Sequence, residues 1–398
     1  MAERLLLLVE NISVPGDRRV WPECLSLRDA GYDVTVVCPQ GKNRDRELFE
    51  VCAGIEIYRY SLRYASGGRR ELLWEYLHAF WQTWTLVQKL ARARTFSVVH
   101  AANPPDMLLI AASPLKRRGT RFIFDHHDLV PELYADRFRG RGTLYWLTRL
   151  MELTSFRLAD VVIATNESYR RIAIERGHKR PEDVFVVRNG PDLSRFHPVD
   201  PDPSLKRGKP HLIGYVGAMA PQDGVDGALR SLASLRRLRD DWHAIFAGGG
   251  EAFEDVVTLA RKLALDDIVE FPGFLPTEDV VRVLSTADVC LAPEPKTPFN
   301  DASTMIKIAE YMAIGRPIVS YQLTESRFTA ADAALYAAPN SEKEFAQCIH
   351  RLLDDPALRA SMGDTGRRRV RCGFAWSDSE ARLLAAYKHV LTNGQRSK

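Results

Sequence analysis

Six cysteines in 398 residues, Cys24, Cys38, Cys52, Cys290, Cys348 and Cys372, make no C-x-x-C pair. That argues against a disulfide framework and against a zinc site built on paired thiols. Thiols placed in apolar runs fit a reducing, cytoplasmic setting instead. Long apolar runs are also missing. The run at 5–9 meets Glu10 and Asn11 at once, too short for the apolar core of a secretion signal, and no segment approaches the ~20 residues of a membrane span. Charge of one sign is not in excess: a net charge of +4 gives no case for a nucleic-acid partner. Low-complexity tracts and short-period repeats are absent, and so is the G-x-G-x-x-G fingerprint of dinucleotide binding.

What remains is an ordinary globular composition, 45% apolar and 27% charged, on a chain long enough for two cores. Short apolar runs at 5–9, 34–38, 55–58, 97–100, 121–125, 161–165 and 184–187 read as strands. Amphipathic stretches such as 20–30, 72–93 and 143–158 lie between them. The pattern restarts with strands at 211–217, 243–247, 268–271, 289–292 and 317–320, after the proline- and aspartate-rich stretch 198–203. Buried runs alternating with helices predict parallel sheets covered on both faces. The expectation is therefore an α/β chain of two tandem doubly wound domains, 1–197 and 198–375, facing across a cleft, with a closing segment 376–398 built on a helix at 378–391. Ligands of such sheets bind beyond the carboxyl ends of the strands, so polar residues just after strand ends are the candidates.

The richest such segment is 300–319. Ser303 and Thr304 read as N-caps of a helix that Gly315 and Pro317 stop, and a helix N-terminus is a natural seat for phosphate. Lys307 and Glu310, three apart, share a helix face that offers a cation for phosphate and a carboxylate for sugar or ribose hydroxyls; a surface ion pair would look the same. In the first half, the strand at 121–125 runs into His126-His127-Asp128, where an imidazole could bind a hydroxyl or move a proton. His100 and Asn103 end another strand. Gly16 with Arg18 and Arg19 follows the first strand and offers room and charge to an anion. Glycine-rich turns at Gly217 and 248–250 let the backbone approach a ligand closely. A basic and aromatic region (Arg59 to Tyr64, Arg69, Arg70, Trp74, Trp81, Trp84, with Arg137 to Arg141 later) either packs a long helix or touches a membrane surface or lipid-linked acceptor.

The segments Asp17-Arg18-Arg19-Val20-Trp21-Pro22-Glu23, Thr165-Asn166-Glu167-Ser168, Val187-Arg188-Asn189-Gly190, Phe271-Pro272-Gly273-Phe274 and Glu310-Tyr311-Met312-Ala313-Ile314-Gly315-Arg316-Pro317 together resemble the family-4 retaining glycosyltransferases, nearly end to end. The resemblance implies the GT-B fold, an acceptor-binding N-terminal domain, a C-terminal domain for a nucleotide-diphosphate sugar, and a last helix that crosses back. It implies retention of configuration, no cofactor and no metal, with the nucleotide sugar as co-substrate. His127 matches the histidine beside the transferred sugar. Glu310 matches the second acid of E-x7-E, which holds the ribose, and Phe274 the part that meets the base. Gly217 and the run Ser303, Thr304, Met305, Ile306 and Lys307 fall on the phosphate side of the donor. Gly16, Arg18, Arg19, Asn103, Asp128 and Arg188 fall on the acceptor or phosphate side. The reading is a polysaccharide- or natural-product-type hexosyltransferase, cytoplasmic or peripheral on the inner face of the membrane.

Two departures stand out. The first acid of E-x7-E falls at Ala302, with Asp301 beside it, and the usual cations flanking the Gly217 turn fall at Ala218 and Asp223. Lys307, Arg188 or Arg18 could supply the missing charge, and Lys307 is favoured by its place in the first turn of the phosphate-facing helix. The alternatives are a sugar-nucleotide epimerase of the same fold and a degenerate, non-catalytic binding protein.

Overall fold

A computed structural model describes residues 2–41, 45–62, 69–138 and 140–393, with the side chains of 69, 70, 72 and 393 left aside. Arg63, Tyr64, Arg139 and the last five residues lie outside that range, so the basic stretch is only partly placed. The chain divides into two compact units: residues 1–188 with 380–398, and residues 189–379. The helix Trp376–Asn393 begins in the second unit and belongs to the first from Glu380 onward.

Among the described residues, the first unit has eight strands: β1 (Arg4–Leu8), β2 (Asp33–Pro39), β3 (Phe49–Cys52), β4 (Ile55–Tyr60), β5 (Val98–Ala102), β6 (Arg121–His126), β7 (Val161–Ala164) and β8 (Val184–Val186). Their order is β3-β4-β2-β1-β5-β6-β7-β8, parallel except for the β3–β4 hairpin at one edge. The second unit has β9 (His211–Ala218), β10 (Trp242–Gly249), β11 (Val269–Gly273), β12 (Val289–Ala292), β13 (Ile318–Tyr321) and β14 (Ala334–Ala337), ordered β11-β10-β9-β12-β13-β14 and parallel throughout. That is the doubly wound order, with its switch point between β9 and β12. In the first unit the same reversal lies between β1 and β5. Most of these strands are buried on both faces, which is why they read as continuous Val, Ile and Leu runs and not as alternations.

Two strands were not visible in the sequence. Phe49–Cys52 is an edge strand in which Phe49 and Val51 are exposed. Ala334–Ala337 is a four-residue, alanine-rich strand that owes its place to pairing with β13 and not to intrinsic preference. The expected start of the 303–315 helix also moves. A short helix, Pro298–Ala302, comes first, capped by Thr297, whose Oγ1 accepts from the Asn300 amide at 3.2 Å. Ser303 therefore closes that helix, donating to Phe299 O at 2.7 Å, and Met305 takes the N-cap place of Ile306–Ile314. Ser303 does not cap the second helix because the first already claims it, and the N-cap place lies one residue beyond Thr304.

Candidate active site

In the first unit, polar side chains gather at the carboxyl ends of β1, β5 and β6. Successive residues of a strand alternate faces, so Asp125 and His127 point one way and His126 the other. His126 enters the core, its ring 5.0 Å from that of Phe156 and its Nε2 3.3 Å from the Glu152 carboxylate. His127 Nδ1 lies 3.2 Å from Asp125 Oδ2 and donates to it, leaving Nε2 for a ligand. Asp125 is fully buried and is gripped by Arg19, whose Nη2 and Nε donate to its two oxygens at 2.5 and 2.7 Å. Burial alone would raise the Asp125 carboxyl. The guanidinium and the two imidazoles hold it well below the usual range. Burial would likewise lower His127, but its bond to Asp125 raises it above the ordinary value.

This arrangement corrects two expectations. Arg19 is not a surface cation awaiting an anion. It is 5% exposed, and besides Asp125 its guanidinium meets Glu23 at 3.4 Å and Val187 O at 3.2 Å. The helix N-terminus after Gly16 is also engaged, since Asp17 Oδ1 accepts from the amides of Arg19 and Val20 at 2.7 and 2.8 Å. Asn103 is a clamp and not a ligand contact. Its Oδ1 accepts from the amides of His127 (2.8 Å) and Asp128 (3.0 Å), and its Nδ2 donates to Asp106 Oδ1 and Asp128 O, both at 2.7 Å. With two bonds at each atom the side chain is saturated. Gly16 and Arg18 are exposed on the turn after β1, while Asp128 and Arg188 are half-buried. Burial raises the Asp128 carboxyl above its ordinary value.

Behind His127 the network continues through the strand-end His100 to Glu23 and Tyr387, to which the motif reading gave no role. His100 Nδ1 meets the Tyr387 hydroxyl at 2.8 Å, and its Nε2 lies 3.6 Å from Glu23 and 3.7 Å from Asp125. Burial lifts Glu23 to about 7 against the lowering effect of Arg19. Glu23, His100 and Asp125 have the spacing of a metal site. A guanidinium already pairs with both carboxylates, so the trio is compensated without an ion.

The second unit presents a different cluster at its switch point. Gly217, next to last in β9, has φ +159°, and a Cβ there would sit 2.8 Å from Lys307 Cε. Gly248, next to last in β10, has φ +137°, where a Cβ would fall 1.8 Å from Gly217 O. Both turns are glycine because the backbones and Lys307 are packed against each other. Lys307, 8% exposed, forms an ion pair with Glu294 just beyond β12, donates to the Tyr215 hydroxyl at 3.1 Å and lies 3.9 Å from Asp223 Oδ1. Burial would lower the ammonium, but Glu294 and the groups around it hold it well above its ordinary value. Burial raises Asp223. Glu294 is fully buried, with Oε2 lacking a hydrogen-bond partner. Tyr311 locks the helix to the strand ends, its hydroxyl accepting from Val216 N at 2.9 Å and lying 3.2 Å from Leu291 O. Glu310 is 4% exposed on the same helix.

Phe274 is 82% exposed, and its ring lies over the end of β10, where a Cβ on Gly249 would come within 2.8 Å of it. Asp301 does not replace the acid missing at Ala302. Its oxygens accept from Thr324 N and Oγ1 at 2.9 and 3.0 Å, capping another helix.

Two family descriptions match, "Glycosyl transferase 4-like domain" over residues 17–190 and "Glycosyl transferases group 1" over residues 198–369, one for each sheet. The chain belongs to the group 1, type-4-like glycosyltransferase family. Among curated relatives of this family, the 2-deoxystreptamine glucosyltransferase of Streptomyces kanamyceticus is 28% identical over 243 residues, 59% of this chain and 62% of that protein. The D-inositol 3-phosphate glycosyltransferase of Frankia alni is 27% identical over 256 residues, 58% of this chain and 61% of that protein. The chain thus spans about three fifths of the length of the curated relatives it matches. Among solved structures, sucrose-phosphate synthase from Thermosynechococcus elongatus superposes with a TM-score of 0.78 at 20% identity, covering 98% of this chain and 100% of that one. Anabaena HepE in complex with UDP gives 0.71 at 15%, covering 97% and 100%. These glycosyltransferase neighbours show the GT-B fold.

Proposed function

We propose that this protein transfers a hexose from a nucleotide-diphosphate sugar to an acceptor hydroxyl with retention of configuration and without a metal ion. The observation that carries the reading is the second sheet's switch point, where Gly217, Gly248 and the start of Ile306–Ile314 put bare backbone and Lys307 where a diphosphate of this family would lie. The helix start and Lys307 stabilise the leaving phosphate, Glu310 holds the ribose, and Phe274 meets the base. The acceptor oxygen bonds to the anomeric carbon on the face from which the phosphate leaves, and the acceptor proton passes to that phosphate. In this reading the first unit holds the acceptor, and His127, oriented by Asp125, hydrogen-bonds the transferred sugar. The pairing of Arg19 with both acids of the Glu23–His100–Asp125 trio supports a metal-free reaction. Six free cysteines support a cytoplasmic setting. UDP is the first nucleotide to test, because it is the one named with HepE.

A non-catalytic binder is the second reading. It is favoured by the two acids, Glu294 and Asp223, that already face Lys307. Melting temperature measured against a panel of nucleotide diphosphates and their sugars decides whether the site binds. Selective stabilisation by one of them is expected, and no shift with any rejects the donor site. Product analysis then separates transfer from epimerisation, which needs no acceptor. His127→Ala should lower kcat by about 10²–10⁴-fold with little change in stability, and full turnover would reject its role.

A further inference from the structure

The first unit contains a cavity of about 330 Å³ that the proposed donor chemistry does not use. This is within the ~300–1,000 Å³ of small-molecule sites. Three helices wall it: Leu73 and Leu77 come from Arg69–Ala93, Leu133 and Tyr134 from Val130–Arg137, and Leu147 and Met151 from Thr143–Leu158. Exposure falls from 44% at Leu77 and 41% at Leu147 to 3% at Asp106. The cavity therefore opens between the leucine-bearing helices and closes on Asp106. Polar groups in the lining are few, namely Asp106, Arg137, Thr148 and two tyrosine hydroxyls.

Each end has its own chemistry. At the mouth, Trp74 and Trp146 flank Leu73 and Leu147 and are 72% and 62% exposed, with Trp81 one stripe further along its helix at 63%. Exposed tryptophans beside an apolar opening suit the boundary between water and a bilayer. Arg137 in the lining and Arg141, stacked 5.5 Å from the Tyr145 ring centroid and three residues before the lining Leu144, bring two cations to this side of the unit. At the floor, Asp106 Oδ1 accepts from Asn103, the residue that clamps the His127 loop, while its buried Oδ2 has no hydrogen-bond partner. A buried polar atom left in this way needs a partner from a ligand or water. Burial, reinforced by Glu152, raises the Asp106 carboxyl well above its ordinary value, which favours the form able to donate to a hydroxyl.

We propose that this cavity holds the hydrocarbon chain of a lipid-linked acceptor, its hydroxylated end toward Asp106 and the His127 loop and its far end leaving between Leu77 and Leu147 toward an anionic membrane surface. The assignment of that lipid as acceptor rests on the glycosyltransferase reading; the chain-binding cavity does not. The arginines beside the opening favour a lipid over an apolar segment of a partner protein, and a volume of about 330 Å³ suits a single chain.

Titration calorimetry of the full chain with hexyl, octyl and decyl glucoside, each below its micelle concentration, tests the cavity. Affinity should rise with length, decyl binding on the order of a hundredfold more tightly than hexyl, as expected when each added methylene is buried. Leu77→Glu and Leu147→Glu change residues already over a third exposed, so the fold is kept, and each should weaken decyl glucoside at least tenfold. Equal binding of the hexyl and decyl compounds, or wild-type affinity in both variants, overturns the proposal. The protein should float with phosphatidylglycerol vesicles and not with phosphatidylcholine vesicles, and the absence of that preference overturns the membrane docking. The nucleotide melting panel on the same preparation separates the two readings. Chain binding without any nucleotide shift sinks the transferase and leaves the cavity standing, whereas the shift without length dependence overturns the cavity alone.

Discussion

Both sheets hold a buried cation among carboxylates at their carboxyl edge, but they hold it differently. Arg19 grips Asp125 with two parallel bonds at 2.5 and 2.7 Å and spends a further donor on Val187 O. Lys307 is a point charge against Glu294, with Asp223 no nearer than 3.9 Å and Glu294 Oε2 still lacking a hydrogen bond. The planar fork fixes one geometry, and the ammonium allows its partners to change. The first cluster is suited to aiming His127 rigidly. The second can trade an acid for an arriving diphosphate, and the raised Asp223 carboxyl makes that exchange easier because it takes a proton more readily.

Replacing the cations is the strongest way to break this contrast. Arg19→Met leaves Asp125 charged and buried and should cost about 3–5 kcal/mol in urea unfolding. Arg19→Lys should recover only part of it, because the fork is lost; a variant as stable as wild type would show that the cluster is not rigid. Lys307→Met should cost less, about 1–3 kcal/mol, because it removes a single ion pair with Glu294, whereas Arg19 makes two charge-assisted bonds to Asp125 and also meets Glu23. It should also weaken nucleotide diphosphate binding at least tenfold by calorimetry, and unchanged affinity would remove Lys307 from the donor site.

A second contrast lies at the central strands. β1 leads into Glu10, whereas β9 leads through Gly217 into Ala218. Burial, then Glu75, lifts Glu10 to about 8. Because its folded value is raised, its contribution to stability is present below the unfolded value near 4.5 and is lost as pH rises toward 8. Glu10→Gln should therefore gain on wild type across that window, by about 1–2 kcal/mol at the upper end. A pH-independent difference would place Glu10 in a solvated setting. The smallest effect on stability is expected at exposed Phe274. Phe274→Ala should change unfolding by less than about 0.5 kcal/mol while lowering nucleotide affinity several-fold.

Much of this was legible in the sequence because most strands of both sheets are buried on both faces, so twelve of the fourteen described strands announce themselves as apolar runs, and glycine turns mark several of their ends, without knowledge of the partner. Strand ends then pointed to His127 and Gly217, and the helix stopped by Gly315 pointed to Lys307. The charges those residues meet were not legible. Arg19 and Asp125 lie 106 positions apart, and only folding shows that the arginine faces inward. Glu294 could have been found, since it follows the run Val289–Ala292 by two residues, as His127 follows Asp125. Asn103 misled because a saturated clamp and a ligand contact use the same amide. Ser303 misled because two helices, not one, share the segment.

The Trp376–Asn393 helix gives the first unit Tyr387, bonded to His100, and His389, whose Nε2 lies 2.9 Å from Asp183. The unit is therefore discontinuous in the chain, and the whole of the second unit is synthesised between its two parts. On a ribosome adding ~5–20 residues per second, residues 1–188 wait roughly ten seconds or more for the helix that covers His100. Through that interval the nascent first unit must keep its charges at the β5 and β6 ends without their closing partner, while the later unit, contiguous in sequence, is free to fold before the earlier one is complete.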